Sequence, residues 1–389
     1  MTATPLPTPS PGWARIADAF WVGLPLTLRR YSAGLAVSTV DGFYLAARPV
    51  LGAVVPVAAF VAGLGIGAIH PGFEKVFTEA LWLLVLFAVV GALSGAAGLY
   101  MTVGFALGDL FVGDHPLWRS AQDGLLAKYG SWLLSYLLIA MLTVGVPIAA
   151  KSLAAEFRLR PSTPRGLRAL VGLGAMVAIT GLLVYAWVQS APLLVRPVFV
   201  WADDSPTVAA IEPLQERGGW VVTFAMLAAA ARAVAQIILA GRVGQRDRMS
   251  ALEDRFRTAE PVVPLLSRLP LPVRLVIRAA FLTLVLAGLY AAFWQALVTF
   301  GVLVAAQFLA NLLSMKTENT YTRVVNKVPR LVRLLIAVIP VYLLGTAVLG
   351  YFISAREQSF LPFLIVTVVS AILMSLLSPA RPDSRRESR

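Results

Sequence analysis

Five residues have the type and the setting to do chemistry inside an otherwise apolar chain: Asp109, Arg232, Gln236, Gln307 and Asn311. Arg232 stands in Leu227-Ala-Ala-Ala-Ala-Arg232-Ala-Val-Ala-Gln236, the middle of an apolar run. A cation at that depth costs at least about 2.5–3.5 kcal/mol on insertion scales. Snorkelling offers poor relief. The helix is expected to run from outside to inside, and Cα–Cβ bonds lean towards a helix N-terminus. The side chain therefore starts out pointing away from the nearer, cytoplasmic face. Gln236 follows one turn later on the same face. Two readings stand. Arg232 is a bundle-facing cation that binds an anionic substrate or pairs with a carboxylate. Or it is tied to backbone carbonyls between helices, flanked by alanines that permit close packing.

Gln307 and Asn311 form a second polar pair, four residues apart near the end of another apolar run. With Arg232 and Gln236 they either line one cavity or act as interhelical glue, worth about 0.6 kcal/mol per contact. Asp109 closes Gly104-Phe-Ala-Leu-Gly108-Asp109 and is the one carboxylate within or beside an expected span core. Its candidate roles are three: counter-ion of Arg232, protonatable coupling residue, or an outer-interface acid near Asp114.

Much chemistry is excluded. Cysteine is absent, so no disulfide, thiolate site or cysteine nucleophile exists. Two histidines, His70 and His115, argue against a histidine-rich metal or haem site. No P-loop, H-E-x-x-H or G-x-S-x-G is present, and no cofactor is expected. Asp203-Asp204 is a lone acidic pair, where metal-dependent prenyl or glycosyl transfer needs more carboxylates together. Thr102-Val-Gly-Phe105 followed by Gly108-Asp109-Leu resembles a potassium-channel filter on paper. Ala106 and Leu107 interrupt the run of carbonyls a filter presents, and Thr143-Val-Gly145 repeats the tripeptide in an ordinary span.

The elements that position these residues follow from composition. Of 389 residues 58% are apolar and 14% charged, against about 25% charged in soluble domains. The mean hydropathy is +0.78. A soluble globular fold, a disordered chain and a disulfide-stapled domain are all excluded. An all-α polytopic integral membrane protein remains. The net charge is +13, which in this class signals cytoplasmic loops rather than nucleic acid. Arginine, alanine, glycine and proline abound while lysine is scarce. That bias of a GC-rich genome points to a bacterial plasma (inner) membrane.

A span needs about 20 apolar residues. Six stretches qualify directly: Val50–Ile69, Ser131–Ala150, Ala169–Gln189, Trp220–Ala240, Leu334–Ile353 and Phe360–Ser378. Two are too long for one crossing, Leu81–Val112 with 32 residues and Val273–Leu313 with 41. Each is one tilted helix or two helices joined by a turn, placed near Gly91–Gly98 and Tyr290–Trp294. If both double back and the N-terminus is inside, 26 Lys/Arg fall in cytoplasmic segments and 6 outside. The positive-inside rule then favours about ten helices with both termini cytoplasmic. A nine-helix arrangement, with the N-terminus outside and only the second stretch doubled back, is the runner-up. For the first stretch, a re-entrant or broken helix also stands.

Residues 1–49 read as a cytoplasmic tail, with interfacial helices at Ala17–Thr27 and Tyr31–Ala47 or a buried extra span there. Residues 50–378 form the transmembrane domain and 379–389 a disordered tail. Met1–Trp13 lacks the basic-then-apolar order of a signal peptide. A capping box at Ser250–Glu253 opens a short helix in the loop Gly241–Arg278. The largest outer loop is Ala191–Gly219. Glycines four apart, among Gly63/Gly65/Gly67, Gly91/Gly95, Gly104/Gly108 and Gly172/Gly174, mark close helix contacts. Pro56, Pro147, Pro340 and Pro362 are expected to kink spans.

The leading functional expectation is a transporter- or permease-like protein with a polar intramembrane cavity for an anionic or polar substrate. The alternative is a non-catalytic scaffold or anchor subunit; a membrane-embedded transferase ranks third. Expected partners are the bilayer, anionic lipids at the basic loops (about 1 kcal/mol per charge near the surface) and further membrane or cytoplasmic subunits.

Overall fold

The computed structural model describes residues 23–31, 49–69, 80–113, 125–157, 163–201, 212–240, 268–285 and 293–316. Positions 19, 36, 38–39, 77, 290 and 328 and short pieces between 332 and 373 are also described. Among these residues the chain is all-helical, with no strand. It divides into two compact units. The first comprises Met1–Leu125 and Trp132–Arg268, the second Leu126–Ser131 and Leu269–Arg389.

In chain order the helices are α1 (Leu24–Arg29), α2 (Pro49–Ile69), α3 (Leu81–Leu93), α4 (Gly95–Phe111) and α5 (Leu125–Ala140). A π-helical segment, Met141–Gly145, joins α5 to α6 (Val146–Ala154) and a 3₁₀ turn, Ala155–Phe157. Then come α7 (Arg165–Trp201), α8 (Glu212–Ala240), α9 (Leu271–Val285) and α10 (Phe293–Lys316). Among the described residues three apolar helices are long enough to cross a membrane: Leu133–Phe157, Gly166–Ala191 and Glu216–Ile238.

The first overlong stretch is two helices. Ser94 adopts an extended conformation, φ −161° and ψ 112°, and is both the last residue of one cap and the first of the next. Its N–H donates to Val90 O at 2.8 Å, and its Oγ accepts from Ala97 N at 3.3 Å. That is the ordinary use of serine at a helix start. α3 and α4 fold back on one another, with Phe87 packed edge-on against Phe105 at 5.4 Å. At 1.5 Å per residue they reach about 20 and 26 Å, both short of a hydrocarbon core of about 30 Å.

Glycine sets how α4 meets α2. A methyl group at Gly63 would fall on the Met101 carbonyl, and one at Gly67 on the Phe105 carbonyl. Reciprocally, Gly104 faces the Phe60 carbonyl and Gly108 the Leu64 carbonyl. Residue numbers rise together on the two helices, so α2 and α4 run parallel. A single crossing over Leu81–Val112 would have made them antiparallel. With α3 running against α4, the three helices alternate in direction.

The alternation continues. Thr102 meets Thr143 and Phe105 meets Tyr136, so α4 and α5 are antiparallel. Gly181 lies on Met226 and Gly218 on Val188, so α7 and α8 are antiparallel. α8 also packs against α3. Of the other glycines, Gly65, Gly172 and Gly174 face open space. They stand two residues from the nearest glycine, not four, and so fall on another face.

One expectation needs correction. The outer loop Ala191–Gly219 is largely helical, since α7 continues to Trp201 and α8 begins at Glu212. An apolar window measures what lipid tolerates, whereas backbone hydrogen bonding carries a helix on into water. Pro56 sits inside α2 without interrupting it. In the second unit, α9 and α10 pack together, and in the second overlong stretch Tyr290, within the expected turn, is not helical. Ala36, Ser38 and Thr39, within the segment read as interfacial, are buried in protein. The Ser250–Glu253 capping box, Asp203-Asp204, Asp114, both histidines, Met1–Trp13 and residues 379–389 lie outside the described residues. The spans Leu334–Ile353 and Phe360–Ser378 are described only in short pieces.

Candidate functional site

Inside the first unit two helix irregularities meet. Pro147 has no N–H to give the Thr143 carbonyl four residues earlier, and its ring crowds that carbonyl. The helix widens to π geometry over Met141–Gly145, immediately before. π-bulges of this kind recur at functional sites. The widened turn lies against the Ser94 break. The Thr143 backbone fills the notch left by Gly91 and Gly98, where any methyl group would collide with it.

The side chains at this junction are polar and buried. Thr143 is 0% exposed. Its Oγ1 lies 2.9 Å from Thr102 Oγ1. Thr102 donates to Gly98 O at 2.8 Å, and Thr143 to Ile139 O at 3.0 Å. Two hydroxyl hydrogens thus serve three contacts. The two Thr-Val-Gly tripeptides of the sequence meet here through their threonines. Trp187 of α7 donates its indole N–H to Leu138 O at 3.0 Å, just before the π segment. Leaving a buried acceptor there unpaired costs about 1–3 kcal/mol.

Asp109 lies towards the far end of α4 and is 6% exposed. The Tyr136 hydroxyl of α5 donates to its Oδ2. Tyr136 also packs edge-on against Phe105, at 6.2 Å between ring centroids. Phe87, Phe105 and Tyr136 form an aromatic row that ends at the carboxyl. This is not the water-facing interface acid the sequence allows.

Arg232 is 8% exposed. It continues the buried stripe Val221, Ala225, Ala228 and Ala229 of α8, while Phe224, Leu227, Val234 and Ile238 are exposed. The cation therefore faces the protein and the greasy side faces out. It makes a polar or electrostatic interaction within the protein. Gln236, one turn on, is half-buried.

Gln307 and Asn311 belong to the second unit, on α10. Gln307 is buried on the stripe that carries Thr299 and Leu303. Asn311 donates its side-chain amide to the Gln307 backbone carbonyl at 2.8 Å, a bond within its own helix. The five predicted residues thus divide, with Asp109, Arg232 and Gln236 in one unit and the amide pair in the other. Among the described residues no group of three metal-binding side chains occurs.

Sequence reasoning missed Tyr136, the Thr102–Thr143 contact and the π segment. One signal was available: Thr143 stands four residues before Pro147, where helical hydrogen bonding must fail. No protein-family model, characterised protein or solved structure matches the chain.

Proposed function

We propose that the chain is a multi-pass transporter or permease of a bacterial plasma membrane, moving an anionic or polar solute. The observation that carries this reading is the meeting of the Ser94 break with the π segment inside a buried polar core. Transporters bind solutes where helices are discontinuous, since only there are backbone groups released to face a ligand. Arg232 adds a buried-face cation suited to an anion. Gln236 continues its face.

The reading includes about ten crossings and both termini in the cytoplasm. Its support is the alternating helix direction in the first unit together with the arginine-rich segments it gathers on one side. Single cysteines at Trp118 and Lys316, in a background without cysteine, should then label from opposite faces of sealed vesicles. Labelling from one face would overturn the arrangement.

Transport is tested in proteoliposomes with radiolabelled phosphate, sulfate, pyruvate and glutamate. The expected result is flux of at least one of them above empty vesicles. A scaffold or anchor subunit is the second reading. It is favoured by how few buried charges the described residues hold, Asp109 and Arg232, when ion-coupled carriers usually hold several acids. Its signature is a stoichiometric partner that co-purifies while all four probes stay at background.

A further inference from the structure

We propose that Arg274 and Arg278 of α9 hold the headgroup of an anionic phospholipid of the phosphatidylglycerol type, and that its acyl chains lie along the exposed apolar side of the same helix. The proposal goes beyond the transport reading and does not need it. It rests on the membrane arrangement above, in which α9 enters the bilayer from the cytoplasm. α9 starts at Leu271, and the Arg274 N–H already donates to Pro270 O at 3.1 Å. Both arginines are therefore helix residues rather than loop residues. At 1.5 Å per residue they stand about 4 and 10 Å into the helix, and four residues apart they share a side. Leu275 and Ala279 are buried, while Val273, Val276, Ile277 and Phe281 are exposed. α9 packs against α10. Arg274 is half-buried and Arg278 exposed. Around the helix the two cations fall between the buried face and the exposed apolar one.

Side-chain direction suits this pair to headgroups. Cα–Cβ bonds lean towards a helix N-terminus, which for α9 is the end at the cytoplasmic surface. Both guanidinium groups therefore start out pointing at the phosphate level, and their stems cover apolar surface on the way. Arg232, on a helix expected to run the other way, has no such route. A guanidinium presents a planar fork of donors that matches two phosphate oxygens. Ile277 and Phe281, deeper in the helix, offer apolar surface to the chains of the same lipid.

Neither helix stability nor topology accounts for the pair. A cation near a helix N-terminus opposes the macrodipole, and the first turn of α9 holds no acid to offset it. The positive-inside rule is met by cations anywhere in the preceding segment, and Gly241–Pro270 already carries six arginines. The acids of that segment, Asp247, Glu253, Asp254 and Glu260, lie outside the described residues.

The chain has no cysteine, so a bimane label on Ile277→Cys reports on α9 alone. The full chain is reconstituted in vesicles of phosphatidylcholine and phosphatidylglycerol, one or the other brominated, and quenching of the label is followed against the fraction of brominated lipid. The anionic lipid should be enriched beside the label by about fivefold for each arginine. Enrichment should vanish in Arg274→Gln/Arg278→Gln and survive in part in Arg274→Lys/Arg278→Lys, which keeps the charge without the fork. A label on Val61→Cys, exposed on the uncharged α2, should see both lipids alike and shows that each variant has inserted. Equal quenching by the two lipids at Ile277, as follows if the arginines pair with the preceding acids, overturns the proposal and leaves the crossing intact. A preference unmoved in Arg274→Gln/Arg278→Gln overturns it too. Quenching by neither lipid at Ile277 places α9 outside the bilayer and overturns both the proposal and the crossing it rests on.

Discussion

Replacing Gly104 by alanine should destabilise the purified protein by about 1–3 kcal/mol, the usual range for overpacking. Replacing Gly65 by alanine should stabilise it by about 0.4–1 kcal/mol. Both substitutions add one methyl group to a helix. In isolation both favour helix, because glycine surrenders more backbone freedom on ordering than alanine does. The packing decides the sign. At Gly104 the methyl meets the Phe60 carbonyl, an atom of the α2 backbone that cannot rotate away. The two helices must then separate, and the Gly63, Gly67 and Gly108 contacts open with them. At Gly65 the methyl meets nothing within 4 Å. The Gly104→Leu variant should lose the α2–α4 contact outright. Denaturant titration in micelles, followed by tryptophan fluorescence, reads all three. Equal effects at Gly65 and Gly104 would refute the parallel glycine contact.

Arg232→Leu should insert at least as well as the natural chain and yet fail to move any probe that the natural chain moves. Insertion improves because the mid-span cation, costing about 2.5–3.5 kcal/mol or more, is gone. Binding suffers because a charge-assisted contact to an anion is worth about 1.5–3 kcal/mol. That corresponds to a loss of about ten- to a hundredfold in apparent affinity. Arg232→Lys keeps the charge but not the planar fork, so part of the flux should survive. The comparison separates the two roles the sequence allows. If Arg232 only ties helices together, Arg232→Leu lowers the unfolding midpoint and leaves flux per folded molecule unchanged. Vesicle flux normalised to folded protein, beside the same denaturant titration, decides between them.

The sequence carried the fold further than the site, for reasons that differ residue by residue. The glycines of α2 and α4 were legible because a spacing of four is itself the contact pattern. Which of Gly63, Gly65 and Gly67 faced the partner was not, since that depends on the rotation of α2. Ser94 fell within the expected turn Gly91–Gly98 because the excess length of the stretch placed a turn there, not because the serine itself was read. Arg232 was legible because its cost is fixed by depth, whatever lies around it. Tyr136 was hidden, because a tyrosine near the end of an apolar helix is unremarkable until the opposite helix presents Asp109. At Asn311 the spacing left a local bond unseen: its amide donates to the Gln307 carbonyl one turn behind.

The parallel pairing of α2 with α4 also constrains how the chain is made. Gly63 and its counterpart Met101 are 38 residues apart, and the intervening α3 must travel the opposite way before they can touch. A nascent chain therefore leaves the glycine groove of α2 without its partner until the third segment arrives. The α2–α4 contact can therefore form only after the third helix has been made, never between neighbours in the chain.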